Sequence, residues 1–434
     1  MNSSLSTLES HLSAGPDEQT RSWLELAVIS RNIDMGIDQQ LDQLQRWQTL
    51  YPNHPLANQL PEEIKVLSEI KASPLQNIAL LLPLQGQLSG AGKAVLNGFM
   101  STMYHSRTLG NQQPLIRIYD TSQHEHIATV YWQAISDGAT LVIGPLKQEN
   151  VERLADIELP VPVLSLNYIR DSNYRSDALY QFGLASEDSA RMAARQANDA
   201  GREQAIIIYP DSDWGIRNAT AFSKEFKKLG GTVLTHQAFD APKQYAKIIQ
   251  KTLFVSDSKK RIRQVNRIVS KPATTQIRRR KDVDFIFLVA LPGQGQQIKP
   301  LLNYYYADDL PIYSISNIYS GTPERTKNSD LNGIVFNETP WLLEPNLLAR
   351  DQLNTTWPAS FKLYPRLYAL GADAYRIYPR LKQLELLPIS GMYAYTGYLK
   401  LNDNRIIERS LKPVHFSKGA IKSLPSLSSK ASAH

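Results

Sequence analysis

From Asn77 onward, short apolar runs alternate with segments of about a dozen residues that carry helical spacing. The runs "IALLLPL", "LIRIYDT", "TLVIGPL" and "VPVLSLNY" are separated by "AVLNGFMSTMYHS", "IATVYWQAISDGA" and "KQENVERLADIE". Strands joined through helices must run parallel, because the helix carries the chain back to the start of the sheet. The pattern therefore predicts βαβ units and a parallel sheet. It restarts after "YQFGLASEDSA", with "QAIIIYP", "TVLTHQAF", "VDFIFLVAL" and "PIYSIS" as strands and "ARMAARQANDAG", "NATAFSKEFKKLGG", "YAKIIQKTLF" and "QQIKPLLNYYYA" between or after them. Two successive βα sheets are expected, an α/β class. "GIVFNETPWLL" then reads as a strand leaving the second sheet, "YPRLYALGADAYRIYPRLKQL" as a helix, and "GYLKLNDNRIIERSLKPVHF" as a hairpin turning at Asp403-Asn404.

Residues 1–72 follow a different grammar. Trp23, Leu24, Ala27 and Val28, and then Ile37, Leu41, Leu44 and Trp47, recur at helical spacing on either side of the turn "NIDMG". The second helix is expected to stop near Tyr51, before Pro52, and Pro55 suits the first turn of a third. The segment is similar to one tetratricopeptide unit, which cannot bury its face alone. It is expected to be the end of a longer helical array that has been cut. "IKASPL", Ile70 to Leu75, reads as a linker, and 419–434 as a disordered Ser-rich tail.

Several chemistries are excluded. "LLPLQGQLSGAGK" looks like a phosphate loop, but Gln87 stands where its first glycine is needed, and Ala94 replaces the magnesium-binding hydroxyl. It is better read as a strand and the turn that starts a helix. With Cys 0, no disulfide, thiolate metal site or cysteine nucleophile is possible. "HEH", His124 to His126, reads as a helix start, since alternate helical residues face different ways. "DSD", Asp211 to Asp213, lacks the later ligands of a calcium loop and reads as a helix-capping turn. No nucleophile stands with a base in a recognisable motif, so no enzyme, cofactor or metal is expected. No apolar run reaches the length of a membrane span, and the first residues have neither a basic n-region nor an apolar core.

The net charge is +7, with much of the excess between Lys259 and Lys281. That stretch reads as a solvated insertion, or as a patch for an anionic partner. It has no interleaved aromatics, so nucleic acid is not expected. Tyr304, Tyr305, Tyr306, Tyr313 and Tyr319 are either interface anchors or core. Arg278, Arg279, Arg280 and Tyr305 are the partner-surface candidates.

The ordered markers "YPDSDWGIRNATAFSKEFKKLGGTVL", "VIGPL" and "ALGADAYRI" resemble the type I periplasmic binding-protein fold. The resemblance implies a first lobe at about 77–184 and 341–388, and a second at about 188–337 and 391–416. More narrowly, "QRWQTLYPNHPLA" running into "NIALLLPLQGQLSGAGKAVLNGF", with "GATLVIGPLKQENVERL" and "GYLKLNDNRIIERSLKPVHFSKG" later, resembles the LpoA-type penicillin-binding protein activators, the LppC family. The resemblance implies an outer-membrane lipoprotein reaching through the periplasm. It would bind a class A penicillin-binding protein and stimulate peptidoglycan synthesis. This chain departs from that pattern in lacking a lipidated cysteine and signal peptide, so any membrane contact is expected only through an anchor absent from it. The alternative is a solute receptor.

In either case the strand-end loops would line a cleft. They supply Gln85, Ser89, Gly90, Gly144, Pro145, Lys147, Asn167, Tyr168, Asp213, Trp214 and Pro292 as candidates. Amino-acid receptors of this fold tend to place small hydroxyl residues after the Gly-Pro and in the next loop. Here Lys147-Gln148 and Asn167-Tyr168 stand there instead. A cell-wall fragment is the other ligand class considered.

Overall fold

The computed structural model describes residues 5–32, 35–60, 62–69, 77–170, 174, 176–268, 276–344, 347–387 and 391–424. The expected linker at 70–75 and the tail beyond Leu424 lie outside them. Four helices lead: α1 (Leu5–Ser13), α2 (Glu18–Arg31), α3 (Ile37–Leu50) and α4 (Glu62–Glu69). Asp17 caps α2 by accepting the Thr20 N–H at 2.8 Å. Leu26 and Ile29 pack against Leu44, Trp47, Ala57 and Ile64. The Trp47 indole N–H donates to the Ser22 carbonyl at 2.9 Å, so the ring is buried without an orphaned donor. Pro55 does not start a helix: residues 51–60 cross in turns, with Ala57 in the core and its carbonyl held by the Gln48 side chain at 2.6 Å.

The chain divides into two compact units. One runs to residue 184 and resumes over 344–410; the other takes 185–343 and everything from 411. The first sheet contains β1 (Asn77–Leu82), β2 (Leu115–Asp120), β3 (Leu141–Ile143), β4 (Val163–Ser165) and β5 (Leu179–Gln181), all parallel, in the order β2-β1-β3-β4-β5. Between strands run α5 (Ser89–Thr108), α6 (Ile127–Ser136) and α7 (Gln148–Ala155). β1 is apolar throughout because both of its faces are covered. Ile78, Leu80 and Leu82 join Val95 and Phe99 of α5, whereas Ala79 and Leu81 join Val130 and Tyr131 of α6 and Leu154 of α7.

The second unit begins with α8 (Ser186–Asp199), β6 (Gln204–Pro210), α9 (Asp213–Lys228), β7 (Thr232–Phe239), α10 (Tyr245–Thr252) and α11 (Val255–Ile268). It continues through β8 (Phe285–Leu288), α12 (Pro292–Leu302), β9 (Ile312–Ser314), α13 (Arg325–Asn328), β10 (Ile334–Glu338) and α14 (Pro340–Leu343). α9 shows how the sequence sets its own limits. The Ser212 hydroxyl accepts the Gly215 N–H at 3.2 Å, Asp213 opens the helix and Lys227 and Lys228 close it, in keeping with the dipole. Gly230, at φ +90°, ends it.

The chain then returns to the first unit with α15 (Leu348–Thr356), α16 (Pro358–Leu363), α17 (Pro365–Ile377) and α18 (Leu381–Leu386), and a small sheet of β11 (Met392–Ala394), β12 (Gly397–Leu401) and β13 (Ile407–Ser410). α17 lies directly on α5. A Cβ on Gly98 would sit 2.1 Å from the Tyr368 carbonyl oxygen, and one on Gly371 2.0 Å from that of Val95. β14 (Lys412–Ser417) and β15 (Ala420–Ser423) complete the second sheet, in the order β15-β14-β10-β9-β8-β6-β7.

Two expectations about the end of the chain are corrected here. The hairpin β12–β13 belongs to the first unit, because Leu399, Leu401 and Ile407 enter the core built around β1. Only from Leu411 does the chain change units, with Val414 and Phe416 packing beside Phe336. The chain is also still ordered at 420–423, where β15 pairs antiparallel with β14.

Candidate functional site

The candidate residues fall into two groups, eight in the first unit and three in the second. After β1, the Leu84 N–H donates to Asp120 Oδ1 at 2.9 Å and the Gln85 N–H to Ser122 Oγ at 3.2 Å. Burial pushes the Asp120 carboxyl up, but hydrogen bonds from Ser122 and the Leu84 N–H outweigh it and hold it below the usual range. The turn is therefore satisfied by its own neighbour loop, not arranged as an open phosphate cradle. Gly86, at φ +69°, makes the turn and Ser89 begins α5. Gly90 lies under the Tyr364 ring, and a Cβ on Gly92 would meet the Pro83 carbonyl oxygen at 1.9 Å. Gly92 thus serves close packing of helix on strand end, and Gly90 leaves room for the Tyr364 ring. Lys93 is exposed.

The next two loops are equally self-contained. Gly144, at φ +103° and before a cis peptide to Pro145, donates its N–H to the Leu164 carbonyl at 2.8 Å. The Asn167 amide donates to the Leu146 carbonyl at 2.9 Å and accepts from the Tyr168 N–H at 2.9 Å. The Tyr168 hydroxyl donates to the Gly183 carbonyl at 3.0 Å, and Gln148 donates to the Tyr168 carbonyl at 3.1 Å. Lys147 pairs with Glu149 at 2.6 Å on the surface. In the second unit, Asp213 is exposed at the start of α9. The Trp214 indole donates to Ser186 Oγ at 3.0 Å, and that hydroxyl also accepts from Asn218 at 2.9 Å. Pro292 occupies the first turn of α12, where its missing N–H does no harm.

The basic stretch divides. Its first half is helix, α11. Arg279 is buried, its guanidinium fixed by Asp309, with Nε 3.1 Å from Oδ1. Arg280 forms two bonds of 2.7 Å to Asp282, a third of 3.1 Å to Thr235, and stacks on Phe254 at 4.4 Å. Both were partner-surface candidates, and both are instead held by carboxylates of their own unit. Arg278 is exposed; Tyr305 is half-buried, its hydroxyl accepting from Gln250 at 3.1 Å. Tyr313 and Tyr319 are core. His126 stands at the N-cap of α6, and among the described residues no group of His, Asp or Glu could hold a metal ion.

Three polar clusters have no spacing signal. Asp373 is fully buried and accepts the Tyr395 and Thr396 N–H groups at 3.0 and 2.6 Å. Burial pushes its carboxyl up, against the pull of Arg376 at 3.7 Å. Glu385 joins Tyr180 and Arg405. Arg380, buried, donates to Gln40 at 2.7 Å and to the Met35 carbonyl at 3.0 Å, which ties the leading helices to the first lobe.

The family model described as "LppC putative lipoprotein" matches residues 2–419. The chain belongs to the LppC family. A relative from Vibrio antiquarius, named penicillin-binding protein activator LpoA, is 30% identical over 400 residues; the match covers 90% of this chain and 65% of the relative. The chain thus spans somewhat less than two thirds of that relative's length. The C-domain of Haemophilus influenzae LpoA, described as a regulator of PBP1A, superposes with a TM-score of 0.66 at 24% identity, covering 80% of this chain and 100% of that one. A "putative branched-chain amino acid ABC transporter" from Rhodospirillum rubrum superposes with a TM-score of 0.62 at 16% identity, over 81% of this chain and 100% of the other. These likenesses establish the fold of the two lobes as type I binding-protein-like, the first sheet all parallel and the second ending in two antiparallel strands.

Proposed function

We propose that this chain is part of a non-enzymatic regulator that binds a class A penicillin-binding protein and stimulates its peptidoglycan synthesis. Membership of the LppC family over residues 2–419, with relatives named as activators of such proteins, is the observation that carries this reading. It works in the periplasm, held to the outer membrane by a lipid anchor of the longer protein. A regulator of this kind acts by binding one conformation of the synthase more tightly than another, and the equilibrium shifts by that difference.

The receptor reading has less support. Asn167, Tyr168 and Gln148 direct their polar groups at backbone carbonyls of the strand-end loops, and the Trp214 indole is taken up by Ser186 at the start of α8. Gln85, Ser89 and Lys147 are the side chains we propose for any cell-wall fragment. Peptidoglycan synthesis by the cognate class A enzyme, measured with and without the longer protein, tests the reading: faster polymerisation is expected, and an unchanged rate would overturn it. Saturable thermal stabilisation by a free amino acid would favour the receptor.

A further inference from the structure

The passage from β13 to β14 is held by a hydrogen bond to sulfur. β13 ends at Ser410, β14 starts at Lys412, and Leu411 stands alone between them, its side chain buried. Ser410 pairs with Tyr398 of β12, and Lys412 with Glu338 of β10, so Leu411 belongs to neither ladder. Its N–H must find an acceptor outside the sheets. It donates to Met192 Sδ of α8, with N and S 3.3 Å apart. A thioether is a weak acceptor, where a backbone donor ordinarily takes an oxygen.

Met192 differs in its surroundings from other methionines of the chain. Met100, Met103 and Met392 lie in or against the apolar core of the first unit, and Met392 is buried. α8 buries Ser189, Ala190, Ala193, Ala194 and Ala197, and Met192 flanks that face, partly exposed. Cys 0 leaves no thiol, so thioethers are the sulfur on which a two-electron oxidant can act.

We propose that Met192 is a site of reversible oxidation to the sulfoxide, and that this modification frees the Leu411 end of β14 from α8. The oxidant is of the hydroperoxide class. A sulfur lone pair attacks one peroxide oxygen; the S–O bond forms and the O–O bond breaks. The proton of the attacked oxygen moves to the departing hydroxide, which leaves as water. Sulfur is oxidised by two electrons and the peroxide is reduced by two.

The thioether has two lone pairs, and the Leu411 N–H engages one of them. The other takes the oxygen, so the folded protein yields a single sulfoxide epimer. The sulfur then carries partial positive charge and no longer attracts the N–H, while the new oxygen points away from it. The Leu411 donor is left without its acceptor, which weakens the attachment of β14 beside α8. The methionine sulfoxide reductase specific for that epimer restores the bond. None of this depends on the regulator reading.

The test treats the full chain, folded and urea-unfolded, with hydrogen peroxide and follows each methionine by peptide mass spectrometry. In the folded protein Met192 is expected to oxidise about tenfold or more faster than Met392. One of the two epimer-specific reductases should then reduce the Met192 sulfoxide completely and the other leave it untouched, whereas the unfolded protein should give both epimers. Amide exchange at Leu411 and along β14 should quicken on oxidation, with β6 and β8 unchanged, and return after reduction. Met192→Leu keeps the volume but has no acceptor, so it should show the quickened exchange from the outset and no response to peroxide. Oxidation of Met192 no faster than that of Met392, or a mixture of epimers from the folded protein, would overturn the site. Complete oxidation of Met192 with exchange in β14 unchanged would overturn the release.

Discussion

Gly98 and Gly371 allow α5 and α17 to touch backbone to backbone. A methyl group at either position would lie about 2 Å from a main-chain carbonyl oxygen, which cannot rotate away. Gly371→Ala is expected to destabilise the protein by ~1–3 kcal/mol, read by urea unfolding. Glu385 gives a pH signature. Burial pushes its carboxyl up, but hydrogen bonds from Tyr180, Lys382 and Arg405, with the Arg405 charge, hold it below the usual range. A carboxyl depressed by folding contributes stability above its unfolded pKa of about 4.3, and that stability is lost as pH falls through the lower, folded value. Glu385→Gln should therefore lower neutral-pH stability by about 1–3 kcal/mol and flatten the acid limb of a melting-temperature profile. At this scale the sequence was least informative. A glycine needed for close packing reads the same as one needed for a turn, and a buried arginine such as Arg279 the same as an exposed one. The partners of Glu385 stand far away along the chain, at Tyr180 and Arg405, and no spacing rule reaches them.

Single elements were far more legible. Strands such as β1 and β6, apolar because both faces are covered, and helices with a stripe, such as α9, announce themselves by period alone. The misses have physical reasons. β5 is three residues long. β12, β13 and β14 form one run of alternating apolar positions that changes sheets at Leu411, and alternation carries no record of which core it enters. Two element-scale outcomes are expected. Ser212→Ala removes the cap of α9 and should cost about 1 kcal/mol by thermal unfolding. Arg380→Ala leaves the Gln40 amide oxygen and the Met35 carbonyl without that donor. Amide hydrogen exchange in α2 and α3 should then quicken, while exchange in β6 and β8 stays unchanged.

For the whole chain, two βα sheets and a leading helical segment followed from the alternation and the ordered markers. The unit to which the last strands belong did not, because it is settled by which core receives Leu399 and which receives Val414. The second unit interrupts the first, and the first in turn supplies residues 344–410 before the second is finished. Timing at the ribosome follows from this. β1 and α5 emerge early, yet the Gly371 helix that covers them is made about 270 residues later, roughly 15–55 s at usual rates of synthesis. During that interval Leu80, Leu82 and Phe99 lack their cover. A nascent chain halted after Leu343 holds neither lobe complete, and should be more protease-sensitive and more often chaperone-bound than one halted after Leu424. Secretion of such a chain before it folds would turn this delay into an advantage, since an unfinished lobe is still able to thread.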